Sequence, residues 1–504
     1  MTFTFPKIPA GIEGFDNIAS GGLPEKRATL ISGTAGAGKT IFGLQFLTSG
    51  MERYQSPGVF VTFEEHPDDI IQNVRGLGWD LQRFIDGKML AIVDASPEPG
   101  EEIVEMGAYD FSALLARVEH AIRQVKAERV VLDAVGSLFT RFGDPGLIRR
   151  EIHRIIRGLR TLEVTSVLTM GRLEEYGSLS RYGVEEFVAD NVIILRNQLN
   201  QENRRRTIEI LKFRGTTHMK GEYPFTIDAD NGITIIPLSA LELTQSSSAV
   251  RVPSGNENLD AMCGGGLFRD SIILVSGATG TGKTLMVTEF IQSAIKRGEP
   301  SILFAFEESR EQLTRNAEAW GVNLEEAEQQ GLVRLICHYP ESRGLEDHLI
   351  AIKEQIEVFK PGRIAVDSLS ALERVATAKS FREFVIGLTS YVKRREMTGM
   401  LTNTTSTILG GESITETHIS TITDAIILLR YVELFGEMHR GLTVLKMRGS
   451  WHDNRIREYS VGADGMTLKG PFIGVQGILS GEVRYTPQNE RDLLRGMFAD
   501  GSEP

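Results

Sequence analysis

The sequence predicts two consecutive α/β domains, each a mainly parallel sheet flanked by helices, and three observations lead there. The chain has 504 residues, 41% hydrophobic and 24% charged, an ordinary globular composition with room for two to four cores. Its second half repeats landmarks of its first half in the same order. Short apolar runs without alternation recur between longer periodic stretches, as expected of strands buried on both faces with helices between them.

The repeat is read from chemistry-bearing residues. Gly33-Thr-Ala-Gly-Ala-Gly-Lys39-Thr40 returns as Gly277-Ala-Thr-Gly-Thr-Gly-Lys283-Thr284, shifted by 244. Phe63-Glu64-Glu65 returns as Phe306-Glu307-Glu308, and Pro57 and Pro97 map onto Pro300 and Pro340, all shifted by 243. Asp133, Asp190 and Lys212-Phe-Arg214-Gly map onto Asp367, Asp424 and Lys446-Met-Arg448-Gly, shifted by 234. Between Pro97 and Asp133 the offset falls by nine, so the first copy carries about nine extra residues around 100–113, a copy-specific surface loop. The polar stretch 239–253 reads as an exposed linker. The expected division is 1–247, 248–485 and a tail 486–504 without counterpart in the first copy.

Along the first copy the apolar runs are 28–32, 58–63, 90–93, 129–133 and 166–170. The first of them leads into G-x-x-x-x-G-K-T and then a helix-like segment, and the second copy does the same. That context makes Gly33, Thr34, Ala35, Gly36, Ala37, Gly38, Lys39 and Thr40 a Walker A loop, with Gly277, Ala278, Thr279, Gly280, Thr281, Gly282, Lys283 and Thr284 as its duplicate. The glycines let backbone N–H groups curl around phosphate, and the following helix adds its positive end. Lys39 and Lys283 are placed to reach the β- and γ-phosphates of ATP, and Thr40 and Thr284 to hold Mg²⁺. The runs at 59–63 and 303–306 end in Glu64-Glu65 and Glu307-Glu308, at the carboxyl edge where ligands bind in such sheets. One Glu of each pair could take a proton from an attacking oxygen. Val130-Val131-Leu132-Asp133 and Ile364-Ala365-Val366-Asp367 have the Walker B form, an apolar strand ending in the acid that stands near the metal.

Late in each copy stand Lys212 with Arg214 and Lys446 with Arg448. A solvated strand end would explain them, and so would a pair that neutralises γ-phosphate charge across a subunit boundary, which favours a ring. Arg204-Arg205-Arg206 reads as a surface run or as a nucleic-acid contact. The net charge of −12 speaks against nucleic acid as a partner, although a local basic groove stays open. Cys263 and Cys337 are too few for a disulfide framework and read as small buried hydrophobes. No leader-like start and no run of about 18 apolar residues is present, so the expectation is a cytoplasmic protein without a membrane partner.

Aligned on Asp190 and Asp424, Ser420 and Thr421 replace Glu186 and Phe187, and Thr415 replaces Arg181. Only the second copy thus has hydroxyls that could accept phosphate. A Thr-rich strand entrance is the plainer reading of the same residues.

Gly14-Phe-Asp, Arg181-Tyr-Gly-Val-Glu-Glu-Phe, His218-Met-Lys-Gly-Glu-Tyr-Pro-Phe225, His418-Ile-Ser-Thr-Ile-Thr-Asp424 and Met447-Arg-Gly-Ser-Trp-His-Asp453 extend over essentially the whole chain. With the two phosphate loops they make the sequence resemble the KaiC family of circadian-clock proteins, double-domain RecA-like P-loop NTPases. The resemblance implies a double-ring homohexamer with ATP at the subunit interfaces, the first ring a slow ATPase and the second a serine/threonine autokinase and autophosphatase. It implies Ser420 and Thr421 as phosphorylation sites with Thr415 as an accessory acceptor, and Glu307 as general base and metal contact with Glu308 as its partner. Glu64 beside Glu65 becomes the hydrolytic base, and Lys212, Arg214, Lys446 and Arg448 touch the neighbour's nucleotide. A KaiB-like protein would dock on the first ring near the extra loop and a KaiA-like protein on the C-terminal tail. A paralogue without a full oscillator and a RecA-like DNA-dependent ATPase are the alternatives.

Overall fold

The computed structural model describes residues 5–96, 111–139, 145–177, 188–200, 203–229, 231–236, 248–405, 419–479 and 484–485. The chain divides into two compact units, Met1–Leu241 and Glu242–Pro504.

In the first unit β1 (Lys7–Ile8) pairs with β2 (Leu23–Pro24), with α1 (Phe15–Ile18) between them in sequence. The main sheet is made of β3 (Ala28–Gly33), β4 (Gly58–Thr62), β5 (Leu90–Asp94), β6 (Arg129–Asp133), β7 (Thr165–Gly171), β8 (Asn191–Asn200), β9 (Asn203–Phe213), β10 (Glu222–Asp228) and β11 (Gly232–Ile235). Their order is β5-β4-β6-β7-β3-β8-β9-β10-β11. From β5 to β8 the neighbours are parallel, and from β8 to β11 they are antiparallel. The helices are α2 (Lys39–Tyr54), α3 (Pro67–Arg75), α4 (Leu81–Asp86), α5 (Phe111–Val125) and α6 (Pro145–Thr161).

The second unit repeats this plan. After the small pair β12 (Arg251–Val252) and β13 (Leu267–Phe268), its strands are β14 (Ile272–Gly277), β15 (Ser301–Ala305), β16 (Val333–Cys337), β17 (Arg363–Asp367), β18 (Thr398–Thr404), β19 (Ala425–Leu434), β20 (Glu437–Met447), β21 (Arg457–Gly462) and β22 (Gly465–Pro471). They lie in the equivalent order β16-β15-β17-β18-β14-β19-β20-β21-β22. Its helices are α7 (Glu257–Met262), α8 (Lys283–Ile295), α9 (Arg310–Glu318), α10 (Leu324–Gln329), α11 (Leu345–Phe359), α12 (Leu369–Arg374) and α13 (Ala378–Arg394).

The unalternated apolar runs have a simple cause. In β6, Val131 packs in a core with Phe42 and Phe46 of α2, whereas Val130 and Leu132 point to the opposite core with Val118 of α5 and Ile155 of α6. Helices cover both faces, so the successive inner positions Val130, Val131 and Leu132 are all apolar. Each fully buried side chain of this size contributes about 1.5–3 kcal/mol. The central strands β3 and β14 are flanked on both sides by parallel neighbours, and at their carboxyl ends the chain turns into α2 and α8. That is the topological position at which sheets of this kind bind ligands.

Two expectations are corrected by the helix and strand bounds. Residues 111–113 belong to α5, which matches α11 at the 234-residue offset, so the extra residues of the first copy precede Phe111. They fall in 97–110, outside the described residues. The end of the expected linker, Arg251–Val252, is β12 of the second unit, because its register with β13 fastens the chain there. The tail 486–504 also lies outside the described residues. Among the described residues no helix is long and apolar enough to cross a membrane.

Candidate functional site

Each phosphate loop joins its central strand to a helix through a glycine in the left-handed region, a conformation that a side chain would strain. Gly38 (φ 92°) and Gly282 (φ 97°) cap α2 and α8, and Lys39 and Lys283 open those helices. A methyl group on Gly38 would also stand 2.8 Å from Ile227 Cδ1. The lysines turn back over their loops. Lys39 Nζ donates to the Thr34 carbonyl oxygen at 2.8 Å, and Lys283 Nζ donates to those of Gly277 and Ala278 at 2.9 and 3.0 Å. Burial lowers both ammonium pKa values, and Asp133 and Asp367 oppose that shift.

The Walker B acids meet the Walker A hydroxyls. Thr40 Oγ1 donates to Asp133 Oδ2 at 2.8 Å, and Thr284 Oγ1 to Asp367 Oδ2 at 2.7 Å. The other oxygen of each acid is held by a hydroxyl from the neighbouring strand, Thr169 on β7 at 2.6 Å and Thr402 on β18. Burial raises both carboxyl pKa values, and these hydroxyls work against it. A hydroxyl and a carboxylate converging at the loop form an oxygen-only donor pair, which fits Mg²⁺, an ion that takes its remaining ligands from phosphate and water. Among the described residues no group of three or more His, Cys, Asp or Glu side chains forms a metal cluster.

The acidic pairs follow β4 and β15 as expected, with different partners in the two copies. In the first, the Glu64 pKa is raised by burial and next by Asp133, while Lys39 opposes the shift. Glu65 Oε2 accepts from Asn73 Nδ2 at 3.4 Å. In the second, Arg374 of α12 pairs with Glu307 at 3.2 Å. Asn316 Nδ2 donates to Glu308 at 3.1 Å, and the Glu308 pKa is raised first by burial and then by Asp367.

The cation pairs lie elsewhere. Lys212 Nζ donates to the Ala189 carbonyl at 2.9 Å and the Arg214 N–H to that of Asp190 at 3.3 Å. Lys446 Nζ donates to the Thr423 carbonyl at 2.8 Å and Arg448 Nη2 to that of Thr421 at 2.6 Å. Asp424 is bonded to Ile272, the first residue of β14, whereas the phosphate loop follows its last, Gly277. The cation pair and the 3₁₀ turn Ile419–Thr421 therefore stand at the opposite sheet edge from the unit's own phosphate loop. Thr421 is exposed. Thr415 lies outside the described residues, as do Arg181, Glu186 and Phe187.

Some contributors escaped the sequence reading. Glu175 accepts from Thr34 Oγ1 at 2.5 Å and from the Asn197 N–H at 3.1 Å, fastening the first loop to β8. Arg206 of the arginine triplet reaches the Gly36 carbonyl at 3.4 Å, so it borders the phosphate loop. Arg149, Arg150, His153, Arg157 and Arg160 of α6 line an open groove of about 820 Å³ with Asp190 and Arg214. Helical spacing was the signal for this basic face, hidden by the acidic total charge. The Cys263 thiol is buried and pushed up to about 12, so it stays protonated.

Comparison with known proteins places these features in one family. The KaiC ATPase family model matches residues 8–240 and again 252–471. A Synechocystis protein named circadian clock protein KaiC3 is 58% identical over 492 residues, 98% of this chain and 97% of that protein. The circadian clock oscillator protein KaiC of Rippkaea orientalis is 56% identical over 491 residues, 97% and 94% of the two chains. That of Parathermosynechococcus lividus is 58% identical over 490 residues, 97% and 90%.

Proposed function

The chain belongs to the KaiC family of ATPases, and from that premise we propose that it is a clock-type enzyme that hydrolyses ATP in its first unit and phosphorylates itself in its second. The carrying observation is the separation of donor and acceptor. Ser420 and Thr421 lie at the amino edge of the sheet and Lys283 at its carboxyl edge, with the six residues of β14 between, about 20 Å of strand. An acceptor so far from its own loop is served by the loop of another copy. That calls for a closed ring, read as a homohexamer, with Lys446 and Arg448 lying against the neighbour's nucleotide. Lys212 and Arg214, beside the basic groove of α6, would serve the first ring in the same way.

Lys39 and Lys283 would bind the phosphates of ATP, and Thr40 with Asp133 and Thr284 with Asp367 and Glu307 would hold Mg²⁺. The metal, when bound, neutralises charge on the phosphoryl oxygens. In the second ring the Ser420 or Thr421 hydroxyl attacks the γ-phosphorus, its proton passes to Glu307, and the bond to ADP breaks. Glu308 supports the Glu307 side chain. In the first ring Glu64, beside Glu65, takes the proton of an attacking water. Dephosphorylation of Ser420 and Thr421 resets the cycle and times the binding of a KaiB-like protein on the first ring and a KaiA-like protein on the tail. The cytoplasm supplies the ATP this needs.

Incubating the whole chain with Mg-ATP and mapping phosphate by mass spectrometry over a day tests the proposal. Phosphate at Ser420 and Thr421, with Thr415 as a lesser acceptor, is expected. ATP turnover with no phosphate at these residues refutes the kinase half. Stimulation by DNA that falls steeply with salt would favour a DNA-dependent ATPase instead.

A further inference from the structure

Among the buried positions at which the two copies differ, one that neither reaction uses exchanges an amide for a carboxyl group. In the first unit Gln45 of α2 employs both ends of its amide. Nε2 donates to the carbonyl oxygens of Asn231 and Ile233 at 3.0 and 3.2 Å, and Oε1 accepts from the Ile233 N–H at 2.7 Å. The same place on α8, 244 residues on, is Glu289. Its Oε1 accepts from the Met466 N–H at 2.6 Å, repeating the bond to Ile233. Its other oxygen, Oε2, where Gln45 carries its amide nitrogen in the covalent structure, is buried and makes no hydrogen bond. Glu289 as a whole is 8% exposed.

A carboxylate only accepts hydrogen bonds, whereas a carboxylic acid also has one O–H to donate, so Glu can imitate the Gln amide only when it carries a proton. We propose that Glu289 is a positioning residue that holds a proton in the closed second unit and docks the β21–β22 hairpin beneath the second phosphate loop, releasing that support when it ionises. The hairpin does reach the loop. The Tyr459 hydroxyl donates to the Thr281 carbonyl, and a methyl group on Gly282 would meet Met466 at 3.5 Å and Val461 at 3.7 Å. Gly465, at the start of β22, is packed so closely that a methyl group there would stand 2.5 Å from Glu289 Oε1.

The surroundings agree with a retained proton. Burial pushes the Glu289 carboxyl up to about 7, and the Met466 N–H, the Asn256 amide and Lys296 oppose this without reversing it. The Asn256 amide gives one of its two N–H groups to the Met466 carbonyl at 2.6 Å. The neighbouring elements carry Glu257 and Asp260 on α7 and Arg457, Glu458, Asp464 and Lys469 on the hairpin, and the charge that acts on the carboxyl is that of Lys296. A carboxyl raised in the closed state loses closing free energy as pH rises from its ordinary value of 4.5 to about 7, and the loss persists above that. The first unit, with Gln45, has no such dependence at this position.

Hydrogen exchange of the full chain with Mg-ATP at pH 6 and pH 8.5, corrected for intrinsic rates, tests this independently of any phosphotransfer. Opening of 457–471 should rise about tenfold more than that of its counterpart 222–235 between the two pH values, and 277–284 should follow it. Glu289→Gln should abolish the difference, and Gln45→Glu should transfer it to the first unit. An equal pH response in the wild type and Glu289→Gln overturns the proposal. A hairpin that responds while 277–284 does not overturns the positioning role.

Discussion

Arg448 Nη2 donates to the carbonyl oxygen of Thr421 at 2.6 Å, and so the cation that would lie against a neighbour's phosphate also holds the turn that would accept it. Arg448 is half exposed, so this hydrogen bond by itself contributes about 1 kcal/mol, to which the contact with phosphate would add. Arg448→Ala should lower the rate of phosphate incorporation at Ser420 and Thr421 about ten- to hundredfold. Arg448→Lys keeps the charge and loses the planar fork, so its rate should fall between the two. Quantitative mass spectrometry of the early time course measures both.

Two phosphate loops of equal construction predict two bound nucleotides per chain. Lys39→Ala and Lys283→Ala should each reduce this to about one, each by emptying its own unit. Nucleotide released from the denatured protein and counted by chromatography decides it. Two nucleotides retained in both variants would contradict the assignment of these lysines.

Glu64 has its carboxyl raised by burial and by Asp133. A base works only when deprotonated, so ATP turnover by the first unit should fall with acidification through a midpoint above the ordinary carboxylate range. In the Lys283→Ala chain the pH–rate profile reports the first unit alone. Glu64→Gln should lower its plateau at least a hundredfold and remove that acid limb.

Thr169 and Thr402 each hold the second oxygen of a buried Walker B acid. Replacing either with Val removes that donor at similar volume and raises the acid further. The affected unit should lose about 1.5–3 kcal/mol in transition-state stabilisation, roughly ten- to hundredfold in rate. Single-turnover assays of Thr169→Val for hydrolysis and Thr402→Val for phosphotransfer separate the two sites.

Much of this was legible in the residues alone, for physical reasons. The parallel strands stand out because both faces are buried, and the phosphate loops because glycine, lysine and threonine at that spacing have one chemical use. Thr169 and Thr402 were not legible, since a threonine inside an apolar strand looks like any good strand former. The basic face of α6 was masked by the surplus of acids elsewhere. Glu289 required three-dimensional information, because the exchange of Gln for Glu between the copies matters only once both are seen to be buried against the same turn. The edge position of the acceptor turn follows from the strand order, which local pattern does not specify.

The central claim is that donor and acceptor belong to different copies, and one mixing experiment reaches it directly. Lys283→Ala chains, which keep their acceptors, are combined with Ser420→Ala/Thr421→Ala chains, which keep their phosphate loop, and phosphate is located by mass spectrometry after incubation with Mg-ATP. The account predicts phosphate on Ser420 and Thr421 of the Lys283→Ala chains. Mixed rings in which those residues stay unmodified, while wild-type chains become phosphorylated under the same conditions, would contradict it.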